Sequence, residues 1–134
     1  MIVVLDTNVW ISGLAFSKRH GIPTQALEKA MTVDLIATCD EIEEEIFRVL
    51  TEKFVWDRNR ARLAIETVLT RSLQVKLKGN VKKCRDPHDD KFLECAVLAR
   101  ADLLIAGDLD LLILGSYQGT SIITPAQYVS GKTR

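Results

Sequence analysis

Ile2-Val3-Val4-Leu5-Asp6, at the very start of the 134-residue chain, and Leu103-Leu104-Ile105-Ala106-Gly107-Asp108, near its end, decide the fold. Short apolar runs of this kind read as strands buried on both faces of a parallel sheet. Each ends on an aspartate. The carboxyl ends of parallel strands are where such sheets bind ligands. Two acids delivered to one sheet edge from opposite ends of the chain therefore suggest a built site.

Between these runs, apolar strands alternate with helical patterns, which predicts βαβ units. Leu35-Ile36-Ala37-Thr38 is a second strand, Gln74–Lys78 a weak edge strand and Ser121-Ile122-Ile123 a last one, stopped by Pro125. Helices are expected over Thr24–Thr32, Asp40–Lys53, Asp57–Ser72, Asp90–Ala101 and Leu109–Leu114. Val9–Phe16 is apolar and small, and 17–21 reads as a loop. With no repeat, low-complexity tract or linker, residues 1–134 are expected to form a single α/β domain.

Composition narrows the function classes. Apolar residues make up 47% and charged residues 27%, an ordinary globular mix. No apolar stretch approaches the ~20 residues of a membrane span. Met1 leads straight into a strand rather than a signal peptide, so a cytoplasmic location is the expectation. Cys39, Cys84 and Cys95 are odd in number and lack a Cys-x-x-Cys pair, and only His20 and His88 are present. A zinc or disulfide framework is therefore not expected.

The formal charge of zero hides an asymmetry. Residues 48–85 hold eleven Lys or Arg against three acids, about +8 there and −8 elsewhere, and no acid lies between Thr67 and Arg85. Beside an acidic site such a stretch points to phosphate backbones. Arg48, Lys82, Lys83 and Arg85 are the candidates for holding them.

Two helices offer further acids. In Asp40–Lys53, Glu45 lies about 85° from the centre of the Ile42, Ile46, Val49 stripe and Glu43 about 75° to the other side, so either can reach a cleft beside the core. Asp89 can cap the next helix, and Asp90 lies in its first turn, where the helix dipole favours an anion. Acids gathered in one cleft raise one another's pKa unless a cation compensates them. Hard oxygen donors without histidine or thiolate select Mg²⁺ or Mn²⁺. Such ions activate water and stabilise phosphodiester displacement. The chain shows no serine–histidine–aspartate set and no glycine-rich phosphate loop, which leaves metal-assisted hydrolysis.

Val4-Leu5-Asp6-Thr7-Asn8-Val9, Glu45-Ile46-Phe47-Arg48-Val49-Leu50, Arg85-Asp86-Pro87-His88-Asp89-Asp90-Lys91-Phe92-Leu93 and Ala106-Gly107-Asp108-Leu109-Asp110-Leu111-Leu112 follow one another in order, and Ile123-Thr124-Pro125-Ala126 lies near the end. Together they resemble the PIN domain family, small Mg²⁺-dependent ribonucleases that include the toxins of VapBC-type toxin–antitoxin pairs. The resemblance implies an α/β/α sandwich around a parallel sheet of four or five strands. It also implies an acidic quartet of Asp6, Glu45, Asp90 and Asp108 that ligates Mg²⁺ (or Mn²⁺) and hydrolyses single-stranded RNA. Glu45 is thereby chosen over Glu43. Asp90 is preferred to Asp89 because its spacing to Asp108 fits the family without a gap. Asp110 is a further candidate, and Thr7 or Asn8 would orient the first aspartate. Ala106 stands where many members carry Thr or Ser, so that hydroxyl contact is absent. A small antitoxin and a homodimer are the implied partners, with Trp10, Phe54 or Trp56 either in the core or at an interface. The alternative is a catalytically weak PIN-like module that binds RNA or protein. A phosphatase or receiver-type domain fits less well, because the first motif is Asp-Thr-Asn rather than Asp-x-Asp.

Overall fold

The structure, a computed structural model, describes residues 1–131, so the last three positions of the expected 1–134 domain lie outside the described residues. Strand β1 (Ile2–Leu5) leads through helices α1 (Thr7–Ala15) and α2 (Ile22–Thr32) to β2 (Leu35–Thr38). Helices α3 (Asp40–Glu52) and α4 (Arg58–Val68) lead on to β3 (Ser72–Gln74), and α5 (Asp90–Ala99) to β4 (Leu103–Ile105). Then come α6 (Leu109–Leu112), the hairpin of β5 (Ser116–Tyr117) and β6 (Thr120–Ile123), and α7 (Pro125–Val129).

The strands form one sheet in the order β3-β2-β1-β4-β6-β5. All neighbours are parallel except β5 and β6. The sheet has six strands rather than four or five, and the short β5 was not expected. Its turn explains it: Gln118 and Gly119 have φ of 46° and 91°. Positive φ at both central residues marks the type I′ hairpin turn, whose twist folds a strand back on its neighbour.

The chain first builds outward from β1 through β2 to β3, then crosses back over to β4. Direction therefore reverses between β1 and β4. Right-handed crossovers running in opposite directions put their helices on opposite faces of a sheet. Accordingly α5 packs on β1, β2 and β4, while α2 packs on β2 together with α1 and α7. The result is a three-layer α/β/α sandwich. Val3, Val4, Ile36, Leu104 and Ile105 are all fully buried, as central strands covered on both faces require. Trp10 is buried in the same core.

The structure defines three local features, one of them a correction of the expected edge strand. The apolar segment after Asp6 is helix α1, because Asp6 accepts the Val9 amide and caps it. The edge strand lies at Ser72–Gln74 rather than Gln74–Lys78, since the Lys78 and Gly79 amides turn away to the buried Glu94 carboxylate at 2.7 and 3.1 Å. Pro125 ends β6 but opens α7, where Thr124 and Gln127 form a capping box. At Gly13 a Cβ would stand 3.0 Å from Leu27 Cδ2 and 3.1 Å from the Pro23 carbonyl, so glycine lets α1 and α2 touch. Among the described residues no helix is long and apolar enough to cross a membrane.

Candidate active site

The reversal point between β1 and β4 is where an open α/β sheet leaves a crevice at its carboxyl edge. Asp6 follows β1 there and is 2% exposed. Its Oδ1 accepts the Val9 amide at 2.9 Å, and its Oδ2 accepts the Gly107 and Asp108 amides at 2.9 and 3.3 Å. One carboxylate thus caps α1 and straps the segment after β4 to β1. Burial pushes the Asp6 carboxyl up, and the three amides and the nearby Asp108 charge act against and with that shift respectively. Neither Thr7 nor Asn8 supplies the orienting contact; backbone amides do, because the strand end points the carboxylate into them.

Asp108 enters the crevice at the start of α6, where its Oδ1 accepts the Asp110 amide at 2.8 Å. Carboxylate oxygens of Asp89, Asp108 and Asp110 lie within 4.8 Å of one another. The guanidinium of Arg85 reaches Asp110 at 3.1 Å from an exposed position.

The two neighbouring aspartates of the Arg-Asp-Pro-His-Asp-Asp motif separate. A 3₁₀ turn over Pro87–Asp89, capped by Asp86, precedes α5. It turns the 8%-exposed Asp89 into the crevice. Asp90 does not line it: its Oδ1 accepts the Lys83 and Cys84 amides at 3.0 and 2.7 Å. Burial raises the Asp90 carboxyl, but those two amides outweigh it and leave it below the usual range. Asp89, by contrast, is pushed up to about 7 by burial and by the facing Asp108. The family's spacing favours Asp90. Spacing counts residues along the chain, whereas the 3₁₀ turn decides which side chain faces inward.

Glu45 reaches the crevice from the flank of α3, while Glu44 points to solvent and Glu43 to the opposite flank, beside Phe47, Arg62 and Ile65. Its two oxygens are held differently. Oε1 accepts the Thr7 hydroxyl, and Oε2 pairs with Lys91 Nζ at 2.8 Å. Burial raises the Glu45 carboxyl, but Lys91 and Thr7 together bring it below its ordinary value. Lys91 was not picked out from the sequence. Its only signal was a cation directly after two aspartates.

The whole crevice is about 530 Å³; its lining includes the acids Asp6, Glu45, Asp89 and Asp108, Asn8, the cations Arg48 and Lys53, and the rings of Phe16 and Phe54. Lys82, Lys83 and Arg85 are exposed beside it but do not line it. Much of the basic stretch is engaged elsewhere: Arg58 and Arg62 lie 5.0 and 5.4 Å from the Phe47 ring centroid, and Arg60 lies 3.7 Å from that of Trp56. All three cysteines are free thiols, two of them buried.

The acids fit a hard divalent cation. Asp89 Oδ2 is buried without a hydrogen-bond partner. An orphaned carboxylate oxygen facing a second carboxylate is costly, and a cation bound between them removes both penalties. All the donors are oxygens, the set that Mg²⁺ and Mn²⁺ prefer.

Comparison with known proteins agrees. The uncharacterized protein MJ1680 of Methanocaldococcus jannaschii is 32% identical over 117 residues, covering 84% of this chain and 74% of that protein. The sequence profile of the PIN domain matches residues 2–110, a span that holds both strand-end aspartates, Glu45 and the Asp89–Asp90 pair. The chain belongs to the PIN domain family.

Proposed function

We propose that this PIN domain, acting as a single domain over residues 1–134, is a Mg²⁺- or Mn²⁺-dependent endoribonuclease. Its substrate is single-stranded RNA, and it serves in the cytoplasm as the toxin of a toxin–antitoxin pair, held in check by a small antitoxin. One observation carries the nuclease part: Asp6, Glu45, Asp89 and Asp108 share one crevice, in which Asp89 has a buried, unpartnered oxygen. The toxin part is carried over from the likeness to VapC-type PIN domains.

Asp89 and Asp108 would hold the ion, with Asp110 at the rim and Asp6 fixing the Gly107–Asp108 backbone on which Asp108 depends. When bound, such an ion polarises water and neutralises charge on the phosphodiester oxygens. Glu45, kept ionised by Lys91 and Thr7, lines the same crevice and would accept a proton from the attacking water. Arg48 offers a cation for the RNA backbone within the crevice, and Lys82, Lys83 and Arg85 offer further ones beside it. The test is cleavage of single-stranded RNA with Mg²⁺ and with EDTA, using Asp6→Asn to expose any contaminating nuclease. Full activity in that variant, or equal activity in EDTA, would overturn the proposal. Metal and RNA binding without cleavage would instead indicate a binding module.

A further inference from the structure

The crevice that holds the acids has a second wall of different chemistry. Phe16, at the end of α1, and Phe54, just beyond α3, meet edge to face with ring centroids 6.1 Å apart and planes at 80°. Both line the crevice. Burying an aromatic ring is among the larger favourable contributions open to a side chain. Yet Phe16 stays 42% exposed and Phe54 38%. The two rings contact each other, and each keeps part of its surface open.

The same wall is cationic. Arg48 and Lys53 line it beside the rings. Arg19 lies 5.2 Å from the Phe16 centroid. The ion pair of Arg48 is a long 3.9 Å contact with Glu52, between side chains that are 62% and 68% exposed, so it holds the guanidinium weakly. Among the described residues Lys53 forms no ion pair. Arg48 and Lys53 are free to engage an anion, unlike Arg19, which lies over the Phe16 ring, and Arg58, Arg60 and Arg62, which lie over other rings.

Exposed ring surface next to free cations, in the same crevice as acids suited to a metal, matches one kind of ligand: a nucleic acid strand with an unpaired base. Bases stack on aromatic side chains without regard to sequence, and neighbouring phosphates bind Arg and Lys. A base paired inside a duplex cannot present its face to a protein ring without leaving the stack. We infer that Phe16 and Phe54 form a stacking subsite for an unpaired base next to the scissile phosphate, with Arg48 and Lys53 holding the adjoining backbone. This subsite rests on the nuclease reading of the crevice and gives it a reason to select single strands.

The test uses the full chain with Ca²⁺ replacing Mg²⁺ to suppress turnover, and fluorescein-labelled single-stranded RNA followed by anisotropy. Phe16→Leu and Phe54→Leu keep apolar bulk but remove the ring. Thermal melting checks that both remain folded. Each is expected to weaken binding about 5- to 50-fold, within the range of one lost base stack. Phe54→Trp should restore it. An RNA scanned with single abasic positions should contain one position whose loss weakens wild type by the same factor and leaves Phe54→Leu unaffected. Leucine variants that bind within twofold of wild type, while wild type still cleaves RNA, would overturn the subsite alone. Absence of cleavage by wild type would overturn the nuclease reading beneath it.

Discussion

Asp89 makes the metal-free protein less stable as pH rises through the neutral range, and the effect can be sized. Its carboxyl sits near 7 in the folded chain, against 3.8 for the free group, because it is buried and faces Asp108. A group whose pKa is raised by folding is bound to its proton more tightly in the native state. Between those two values the unfolded chain has lost the proton while the native chain retains it, so stability falls with rising pH at ~1.4 kcal/mol per unit. The whole interval amounts to about 4 kcal/mol as a ceiling, and the open side of the crevice lets water screen part of it. From pH 5 to pH 7 a loss of about 1–3 kcal/mol remains. Urea unfolding in EDTA at pH 5, 6, 7 and 8 measures it, with Asp89→Asn alongside. The variant carries every other titrating group, so the difference between the two proteins reports Asp89 together with its coupling to Asp108. Wild type should lose stability relative to Asp89→Asn as pH rises and level off above about pH 7, a midpoint change of ~1 M urea. Excess Mg²⁺ should remove the slope, because an ion binding only the native state stabilises it by about 2.7 kcal/mol at a hundredfold excess over Kd. A wild-type-minus-variant difference that is constant across pH would refute the close Asp89–Asp108 pairing.

Asp90→Ala should release the Lys83 and Cys84 amides without touching the crevice. Hydrogen exchange over residues 79–86 should speed up, stability should drop by about 1 kcal/mol, and RNA cleavage should stay within tenfold of wild type; a loss as deep as that of Asp89→Asn would reverse the two roles. Leu104→Ala, in a central strand with no exposed surface, should cost about 2–5 kcal/mol in urea unfolding, and a cost under ~1 kcal/mol would contradict the central placement of β4.

Much of the fold was legible because its strands are buried on both faces. Val3-Val4-Leu5 and Leu103-Leu104-Ile105 carry no polar residue to blur the pattern, and the aspartate after each marks the strand end. Angular position on a helix, which survives folding nearly unchanged, left Glu43 and Glu45 as the choices, and the family resemblance selected Glu45. What was not legible depended on local backbone geometry or on contacts distant in sequence. Helix α1 was not assigned because its start depends on the Asp6 side chain accepting the Val9 amide, a contact the apolar pattern does not show. Which of Asp89 and Asp90 faces the crevice turned on a 3₁₀ turn at Pro87. Strand β5 is two residues long, and only the Gln118-Gly119 turn announced it. Lys91 pairs with Glu45, 46 positions earlier, and no pattern along the chain links them. The Phe16–Phe54 wall was hidden for the same reason: each ring alone looks like core.

The most direct test of a metal-dependent nuclease site at the β1–β4 edge is cleavage of single-stranded RNA by Asp89→Asn and Asp108→Asn beside wild type, in Mg²⁺ and in EDTA. Wild type should cleave only with Mg²⁺, and each variant should fall by about a hundredfold or more while remaining folded, as expected when a metal-holding carboxylate that stabilises the transition state is removed. Cleavage by wild type in EDTA, or by either variant at the wild-type rate, would contradict it.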